Sequence, residues 1–166
     1  MNKFALVAAA MLAVGTFTIP DADAQRARGA RVTESGGVAA GTVHNNGRRA
    51  GARGVITDGQ GNAAAGGVSC AAGAAGRACR AGATTVTEDG TVQHQSGAVA
   101  AGANGRVVTQ GGFTRNPDGT TTGQRTTTAT GEQGTYNAET TYDSETGVTR
   151  TVTCTNPAGA VVACPR

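Results

Sequence analysis

Turn-forming glycines recur every 12 to 15 residues between residues 48 and 159, and this spacing constrains the fold more than any other feature of the sequence. They divide the segment into eight units: 48–61, 62–76, 77–90, 91–105, 106–119, 120–134, 135–147 and 148–159. Many units end in a tight-turn dipeptide such as Asp58-Gly59, Asp89-Gly90 or Asn104-Gly105. Each unit has room for one strand and a turn, and none for a crossover helix. The sequence therefore predicts an all-β fold, an elongated antiparallel β-meander of strand-turn repeats about 14 residues long.

Alternation within the last units separates two kinds of side chain. The even positions of 136–142 are Tyr, Ala, Thr and Tyr, whereas the odd positions of 135–141 are Thr, Asn, Glu and Thr. In 148–155 the even positions are Val, Arg, Val and Cys, and every odd position is Thr. Because alternate residues of a strand point to opposite faces, one face is modestly apolar and the other is a threonine ladder.

Glycines also occur in the middle of several units, at Gly82, Gly97 and Gly112. A glycine inside a strand marks either a bulge or kink, or a break that splits the unit into two short strands. The sequence leaves both alternatives open. It also leaves open whether the Ala- and Gly-rich stretch 62–83 is ordered.

Large apolar residues are scarce after the first 24 residues. Residues 25–166 contain 14 valines, one isoleucine, one phenylalanine and no leucine, against 26 glycines and 24 threonines. Such a chain cannot build the packed core of an ordinary globular domain, yet its net charge of +4 is too low for a typical disordered chain. Threonine and valine favour strands, which favours a thin sheet stabilised by its ladders and cross-strand pairs.

The first 24 residues have the order of regions of a cleavable signal peptide. Lys3 precedes an apolar run at 4–14, and Ala22-Asp23-Ala24 forms a small-x-small cleavage site before Gln25. The run has 11 residues, and a membrane anchor needs about 20. The sequence therefore predicts a signal peptide at 1–24, no membrane span after cleavage, and a periplasmic or secreted protein.

Charge divides the remaining chain into two predicted regions. Residues 25–54 hold one acidic residue and six arginines: Arg26, Arg28, Arg31, Arg48, Arg49 and Arg53. Residues 55–166 hold seven arginines and eight acidic residues. We interpret 25–54 as a flexible Arg-rich arm and 55–166 as the Gly/Thr-rich β-repeat domain. The six arginines are the candidate anion-binding residues.

Four cysteines in an exported protein indicate two disulfides. We predict the pairs Cys70–Cys79 and Cys154–Cys164, because each pair flanks one predicted turn. A loop of about 10 residues closed in this way contributes roughly 2.5 to 3 kcal/mol in the chain-entropy model. Zinc frameworks use closer cysteine spacing, so no metal is predicted.

Catalytic and cofactor motifs are missing from the sequence. His44 and His94 are isolated on polar stretches, and no metalloprotease, nucleophile-elbow, P-loop or EF-hand pattern occurs. Few large side chains are present to wall a preorganised pocket. We therefore predict a non-enzymatic protein without a cofactor.

The segment TTTATGEQGTYNAETTYDSETGVTRTVTCTNPAGAVVACP, residues 126–165, together with NPDG at 116–119, resembles small exported Gly/Thr-rich repeat proteins of Gram-negative bacteria. The resemblance covers residues 84–165 and implies an exported β-repeat protein whose last strand carries two cysteines. It supplies no active site. TYDSETGVTRTV also resembles the YD repeats of large toxin shells, without the long array that those shells need.

These features predict a structural or interaction protein of the cell envelope with no identified partner. Exposed edge strands favour self-association or strand addition. The alternative is a binding module for anionic envelope polymers, lipopolysaccharide or nucleic acid, through the Arg-rich arm. Regular threonine rows are also typical of ice-binding β proteins, but Arg125, Arg150 and the acidic turns interrupt the rows in sequence, which argues against that function.

Overall fold

The computed structural model describes residues 25–164, so the predicted signal peptide lies outside the described residues. Within that range the fold is all-β, as predicted: eleven strands form one open sheet in which each strand pairs antiparallel with the next in sequence. The strands are β1 (Gln25–Val32), β2 (Val38–Asn45), β3 (Arg49–Thr57), β4 (Ala63–Gly73), β5 (Gly76–Val86), β6 (Val92–Gly102), β7 (Gly105–Arg115), β8 (Thr121–Gly131), β9 (Gly134–Asp143), β10 (Gly147–Thr155) and β11 (Val161–Val162). No helix of the described chain is long and apolar enough to cross a bilayer.

The eight units predicted from the glycine spacing correspond to strands β3 to β10, one strand per unit. Gly76, Gly105 and Gly134 open β5, β7 and β9 at 29-residue intervals, and all three have positive φ, between 123° and 136°. Each follows a two-residue turn, and a Cβ on any of them would collide with the backbone of the neighbouring hairpin. Glycine is therefore required here for both conformation and space.

The turns at the opposite end of the sheet are longer than these two-residue turns, and those after β1, β5 and β7 share one hydrogen-bond pattern. In the turn after β5, Gly90 N–H donates to the Thr87 carbonyl (2.8 Å) and Thr87 N–H donates to the Thr91 carbonyl (3.0 Å). Gly90 has φ of 86°, which is the geometry of a type I turn followed by a glycine bulge. The same pattern recurs in the turn after β7, where Gly119 donates to Asn116.

Aspartates hold these longer turns through hydrogen bonds to the backbone. Asp118 accepts the N–H of Thr120 (2.8 Å), and Asp58 accepts the N–H groups of Gln60 (2.8 Å) and Asn62 (3.1 Å). These bonds favour the ionised carboxylate, so the pKa of each side chain lies below its ordinary value. The fold is therefore stabilised by ionised aspartates at one end of the sheet.

The mid-unit glycines neither split the strands nor form bulges. Gly82 pairs with Ser96, Gly97 with Gln110, and Gly112 with Gln124, each within an unbroken one-to-one register. The register therefore excludes a bulge and a split at these three positions. The stretch 62–83 is likewise ordered as β4, its turn and the first half of β5.

Residues 25–54 form β1, β2 and most of β3, where the sequence analysis predicted a flexible arm. The predicted boundary between residues 54 and 55 falls inside β3, whose residues pair with β2 on one side and β4 on the other. The prediction missed these strands because the segment is rich in alanine and glycine, which are weak strand formers. Pairing to the neighbouring ladder overrides that weak propensity.

Both predicted disulfides are confirmed by the structure. Cys70 and Cys79 lie directly opposite each other on β4 and β5, and Cys154 of β10 is joined to Cys164 just after β11. Burial is otherwise slight: Ala64, Ala138 and Cys154 are the buried apolar residues of the described chain, at 5 to 9% exposure. The sheet is thin, and its stability rests on backbone ladders and covalent links.

Candidate anion-binding face

The strand register assigns every strand residue to one of two faces. One row crosses the sheet from β1 to β10 through directly paired residues: Arg28, Thr42, Arg53, Gly67, Gly82, Ser96, Gly111, Arg125, Thr140 and Arg150. Paired residues point to the same side of a sheet. We call the side that carries this row the basic face, and the opposite side, which carries Thr128, Thr151 and Thr153, the threonine face.

Charge is segregated between the two faces. Of the described strand residues, eight arginines and no acidic residue lie on the basic face: Arg26, Arg28, Arg49, Arg53, Arg80, Arg115, Arg125 and Arg150. The threonine face carries Arg31, Arg77, Arg106, Glu139 and Asp143. The positive charge of the basic face is therefore not offset by acidic side chains on the same face.

Acidic residues collect instead at one end of the strands. Alternate turns of a meander lie at the same end, and the turns after β1, β3, β5, β7 and β9 contain six acidic residues: Glu34, Asp58, Glu88, Asp89, Asp118 and Glu145. They extend beyond the strand ends, whereas Arg53 and Arg125 lie near the middle of their strands. The arrangement leaves the centre of the basic face positive.

A shallow groove of about 700 Å³ runs across the basic face from β1 to β8. The arginines that line it are Arg26, Arg28, Arg53, Arg80 and Arg125. Its floor between Arg53 and Arg125 includes Gly67 and Gly82, which have no side chains to fill the space. Glycine at these positions lets a ligand approach the backbone closely.

Serine and threonine hydroxyls orient several of the arginines. Arg53 Nε donates to Thr42 Oγ1 (3.2 Å), and Arg80 Nε donates to Ser69 Oγ (3.2 Å). These partners are neutral, so the guanidinium groups keep their full charge and most of their N–H donors. The orientation reduces the side-chain entropy that ligand binding would otherwise remove.

Arg125 makes two such contacts and shows how the strand register builds the groove. Its Nη2 donates to Ser96 Oγ (2.9 Å) on β6, and its Nη1 donates to Thr109 Oγ1 (3.2 Å) on β7. The side chain reaches β6 because the residue between them in the row, Gly111, has no side chain. A Cβ at Gly111 would collide with Arg125.

The aromatic and histidine side chains of the strands share the basic face. His94 and Phe113 stack with ring centroids 5.4 Å apart, and His94 Nδ1 lies 2.8 Å from Thr84 Oγ1. Tyr142 lies in the same row as these residues, and Tyr136 accepts a hydrogen bond from Arg150 (2.8 Å). A second depression of about 860 Å³, lined mainly by glycine and alanine, joins this patch to Arg28 and Arg53.

Four of the six predicted anion-binding residues lie on the same face of the sheet. Arg26, Arg28, Arg49 and Arg53 lie on the basic face, whereas Arg31 lies on the threonine face and Arg48 in the turn before β3. Sequence reasoning missed Arg80, Arg115, Arg125 and Arg150, which lie far from the arm in sequence. The signal that unites them is the register of the repeat, which aligns the central positions of successive strands.

The described residues contain no group of three or more His, Cys, Asp and Glu side chains that could hold a metal ion. Comparison with known proteins adds no identity: no family model, curated protein or solved structure matches the chain. The functional conclusion therefore depends on the geometry and charge of the sheet itself.

Proposed function

We propose that this protein is a non-enzymatic binding module for an extended anionic polymer, which lies in the groove of the basic face. The observation that carries the proposal is the segregation of eight arginines and no acidic residue onto this face of the described strands. Clustered positive charge of this kind attracts polyanions over several ångström and binds phosphate through bidentate hydrogen bonds. The proposed binding surface begins in the predicted Arg-rich arm, residues 25–54, and continues across the sheet to β10.

The span of the arginines favours a polymer over a small anion. Arg28 on β1 and Arg150 on β10 are nine strand spacings apart, which corresponds to roughly 43 Å at the usual interstrand distance. Within the row, Arg28 and Arg53 are two strands or about 10 Å apart, as are Arg125 and Arg150, and five strand spacings separate the two pairs. A chain that crosses the strands therefore meets successive guanidinium groups, and each contact releases counterions.

The two disulfides are typical of a protein that folds in an oxidising compartment. We propose the periplasm or the cell exterior as that compartment, in agreement with the predicted signal peptide. The polymers with matching chemistry in these locations carry phosphate groups, and lipopolysaccharide and nucleic acid are two such polymers. The chemistry they share is a row of phosphates opposite a row of guanidinium groups.

The test compares two triple variants with the same loss of formal charge. Arg28→Gln/Arg53→Gln/Arg125→Gln removes charge from the basic face, and Arg31→Gln/Arg77→Gln/Arg106→Gln removes it from the threonine face. Affinity for a labelled single-stranded oligonucleotide and for lipopolysaccharide micelles is measured by fluorescence anisotropy. At about 1 kcal/mol per basic residue, the first triple variant loses roughly 100-fold in affinity and the second changes little. Equal losses would refute the proposed site.

Substitution is a cleaner test than truncation. A chain that begins at Val55 lacks β1 and β2 and starts in the middle of β3, so the remaining half-strand loses its pairing with β2. Loss of binding by such a chain would combine a lost site with a damaged sheet edge. The two triple variants leave every strand and every ladder in place.

A second function, self-association through a sheet edge, is favoured by the short last strand. β11 pairs only with Cys154 and Thr155, so within the described chain residues 147–153 of β10 have no partner on their outer side. Unpaired N–H and C=O groups along such an edge bind a further strand. Sedimentation velocity over a 100-fold concentration range tests this function, and a monomer throughout would rule it out.

A further inference from the structure

The threonine face of β8, β9 and β10 carries a regular array of hydroxyl-bearing side chains. Fifteen strand residues point to this side, and ten of them are threonines: Thr122, Thr126, Thr128, Thr130, Thr135, Thr141, Thr149, Thr151, Thr153 and Thr155. Seven of the ten are exposed and the other three are half-buried. Neither the repeat nor the proposed polymer site requires threonine at these positions.

We propose that this array is a second binding site, and that its ligand is the ordered water lattice at the surface of ice. The pairing of the three strands is one-to-one and free of bulges, from Thr122–Asp143 to Gly131–Gly134 and from Gly147–Asp143 to Thr155–Thr135. Threonine positions therefore repeat at about 6.8 Å along β8 and β10. Across the strands, at about 4.8 Å, threonines are adjacent in the rows Thr130–Thr135–Thr155 and Thr141–Thr149, whereas Asn137 and Glu139 separate the threonines of the two rows between them. The patch spans two strand-to-strand steps, so the twist of the sheet acts over a short distance.

These repeats are close to those of tetrahedrally bonded water. With O–H···O distances of about 2.75 Å, second-neighbour oxygens in a tetrahedral network are about 4.5 Å apart. Stacking along the hexagonal axis of the same network gives a repeat of about 7.3 Å. The backbone repeats of the array thus differ from those of the lattice by about 0.3 Å per strand and about 0.5 Å per pair of residues, which are small offsets over a patch of three strands.

Threonine suits this role because its side chain is stiff. Branching at Cβ restricts χ1, so each residue presents a hydroxyl and a methyl group in a fixed direction. Cross-strand bonds restrict the array further: Thr128 Oγ1 donates to Asn137 Oδ1 (2.8 Å), and the hydroxyls of Thr130 and Thr135 lie 3.4 Å apart. A preordered surface loses little entropy when it binds a rigid lattice.

Charge and shape favour this ligand over the alternatives. Arg125 and Arg150, which interrupt the threonine rows in sequence, both point to the basic face. Within the patch the charged side chains are Glu139 and Asp143, so a polyanion would be repelled. The described tyrosines and phenylalanine lie on the basic face, which leaves no aromatic platform for a sugar among the described residues of the threonine face.

The test measures inhibition of ice recrystallisation by the full protein and by two matched variants. Thr151→Tyr places a bulky ring in the array, and Val152→Tyr places the same ring next to it on the basic face. Tyrosine is a good strand former, so both variants keep the fold, which circular dichroism verifies. The first variant requires at least about tenfold more protein for the same inhibition, and the second matches the wild type.

A gain-of-function variant makes the test independent of any damage to the fold. Glu139 lies between Thr126 and Thr151 in one row across the patch, so Glu139→Thr completes that row with a third hydroxyl and removes the charge from the centre of the patch. The lattice proposal predicts stronger inhibition by this variant than by the wild type. An inactive wild-type protein, equal effects of the two tyrosine variants, or weaker inhibition by Glu139→Thr would each overturn the proposal.

Discussion

The two faces of the sheet share one backbone and differ in chemistry. On the basic face, arginines and glycines line a positive groove and aromatic rings lie beside it, whereas the threonine face of β8 to β10 is a polar array with two carboxylates. Neighbouring residues of one strand lie on different faces: Arg150 lies on the basic face and Thr151 in the threonine array. Because few residues of this thin sheet are buried, neither side is needed for packing, and each side can carry its own chemistry.

Disulfide removal has the largest expected effect, and the two faces should respond alike. Cys70 and Cys79 lie on the threonine face and Cys154 on the basic face, and the bonds close loops of similar length, with separations of 9 and 10 residues. Replacing either pair with alanine should lower the free energy of unfolding by about 2.5 to 3 kcal/mol. Urea denaturation measures both losses. A loss from one pair only would show that the two halves of the sheet unfold independently.

Single arginine substitutions on the two faces should change the salt dependence of binding affinity differently. Arg125→Gln removes one phosphate contact from the groove, so the slope of log affinity against log salt should become shallower by about 0.7 with a single-stranded oligonucleotide. Arg106→Gln removes the same charge from the threonine face and should leave the slope unchanged. The measurement is anisotropy at five salt concentrations. Equal changes of slope would indicate general charge attraction without a defined face.

The smallest expected effect is a loss of stability at low pH, caused by protonation of aspartates at the ends of the strands. Hydrogen bonds from Thr120 keep the pKa of Asp118 below its ordinary value, and those from the Thr146 and Glu145 backbone do the same for Asp143. A lowered folded-state pKa gives stability that is present above the unfolded value, about 3.9, and is lost as pH falls through the folded value. The melting temperature should therefore fall below about pH 4.

Asp118→Asn sharpens the acid prediction, because an amide does not titrate. Its melting temperature should fall less between pH 5 and pH 2.5 than that of the wild type. Glu132→Gln, in a two-residue turn at the opposite end of the sheet, is the control and should follow the wild type. A wild-type melting temperature that stays constant to pH 2.5 would contradict the role of the turn carboxylates.

The fold was largely predictable because its signal is local. Glycines such as Gly76, Gly105 and Gly134 are required by the backbone itself, and their spacing reveals one strand per unit. The pairing of nearby cysteines was predictable for the same reason. Strands β1 and β2 were missed because their residues are weak strand formers, and only the edge of β3 makes them part of the sheet.

The basic face could be predicted only in part because it depends on register. Arg28 and Arg125 are far apart in sequence, and their common face follows from the lengths of all the turns between them. A slip of one residue in any hairpin between them would place the two arginines on opposite sides of the sheet. The same parity decides that Arg125 and Arg150 leave the threonine array intact. The face on which each arginine lies cannot be predicted from composition.

The most direct test of the account is an NMR titration that follows the arginine side chains of the 15N-labelled protein as polyphosphate is added. The account predicts that the Nε–H signals of Arg28, Arg53, Arg80 and Arg125 shift with one saturating curve. Those of Arg31, Arg77 and Arg106, on the threonine face, should stay in place. Equal shifts of both sets, or shifts confined to the second set, would contradict the assignment of anion binding to the basic face.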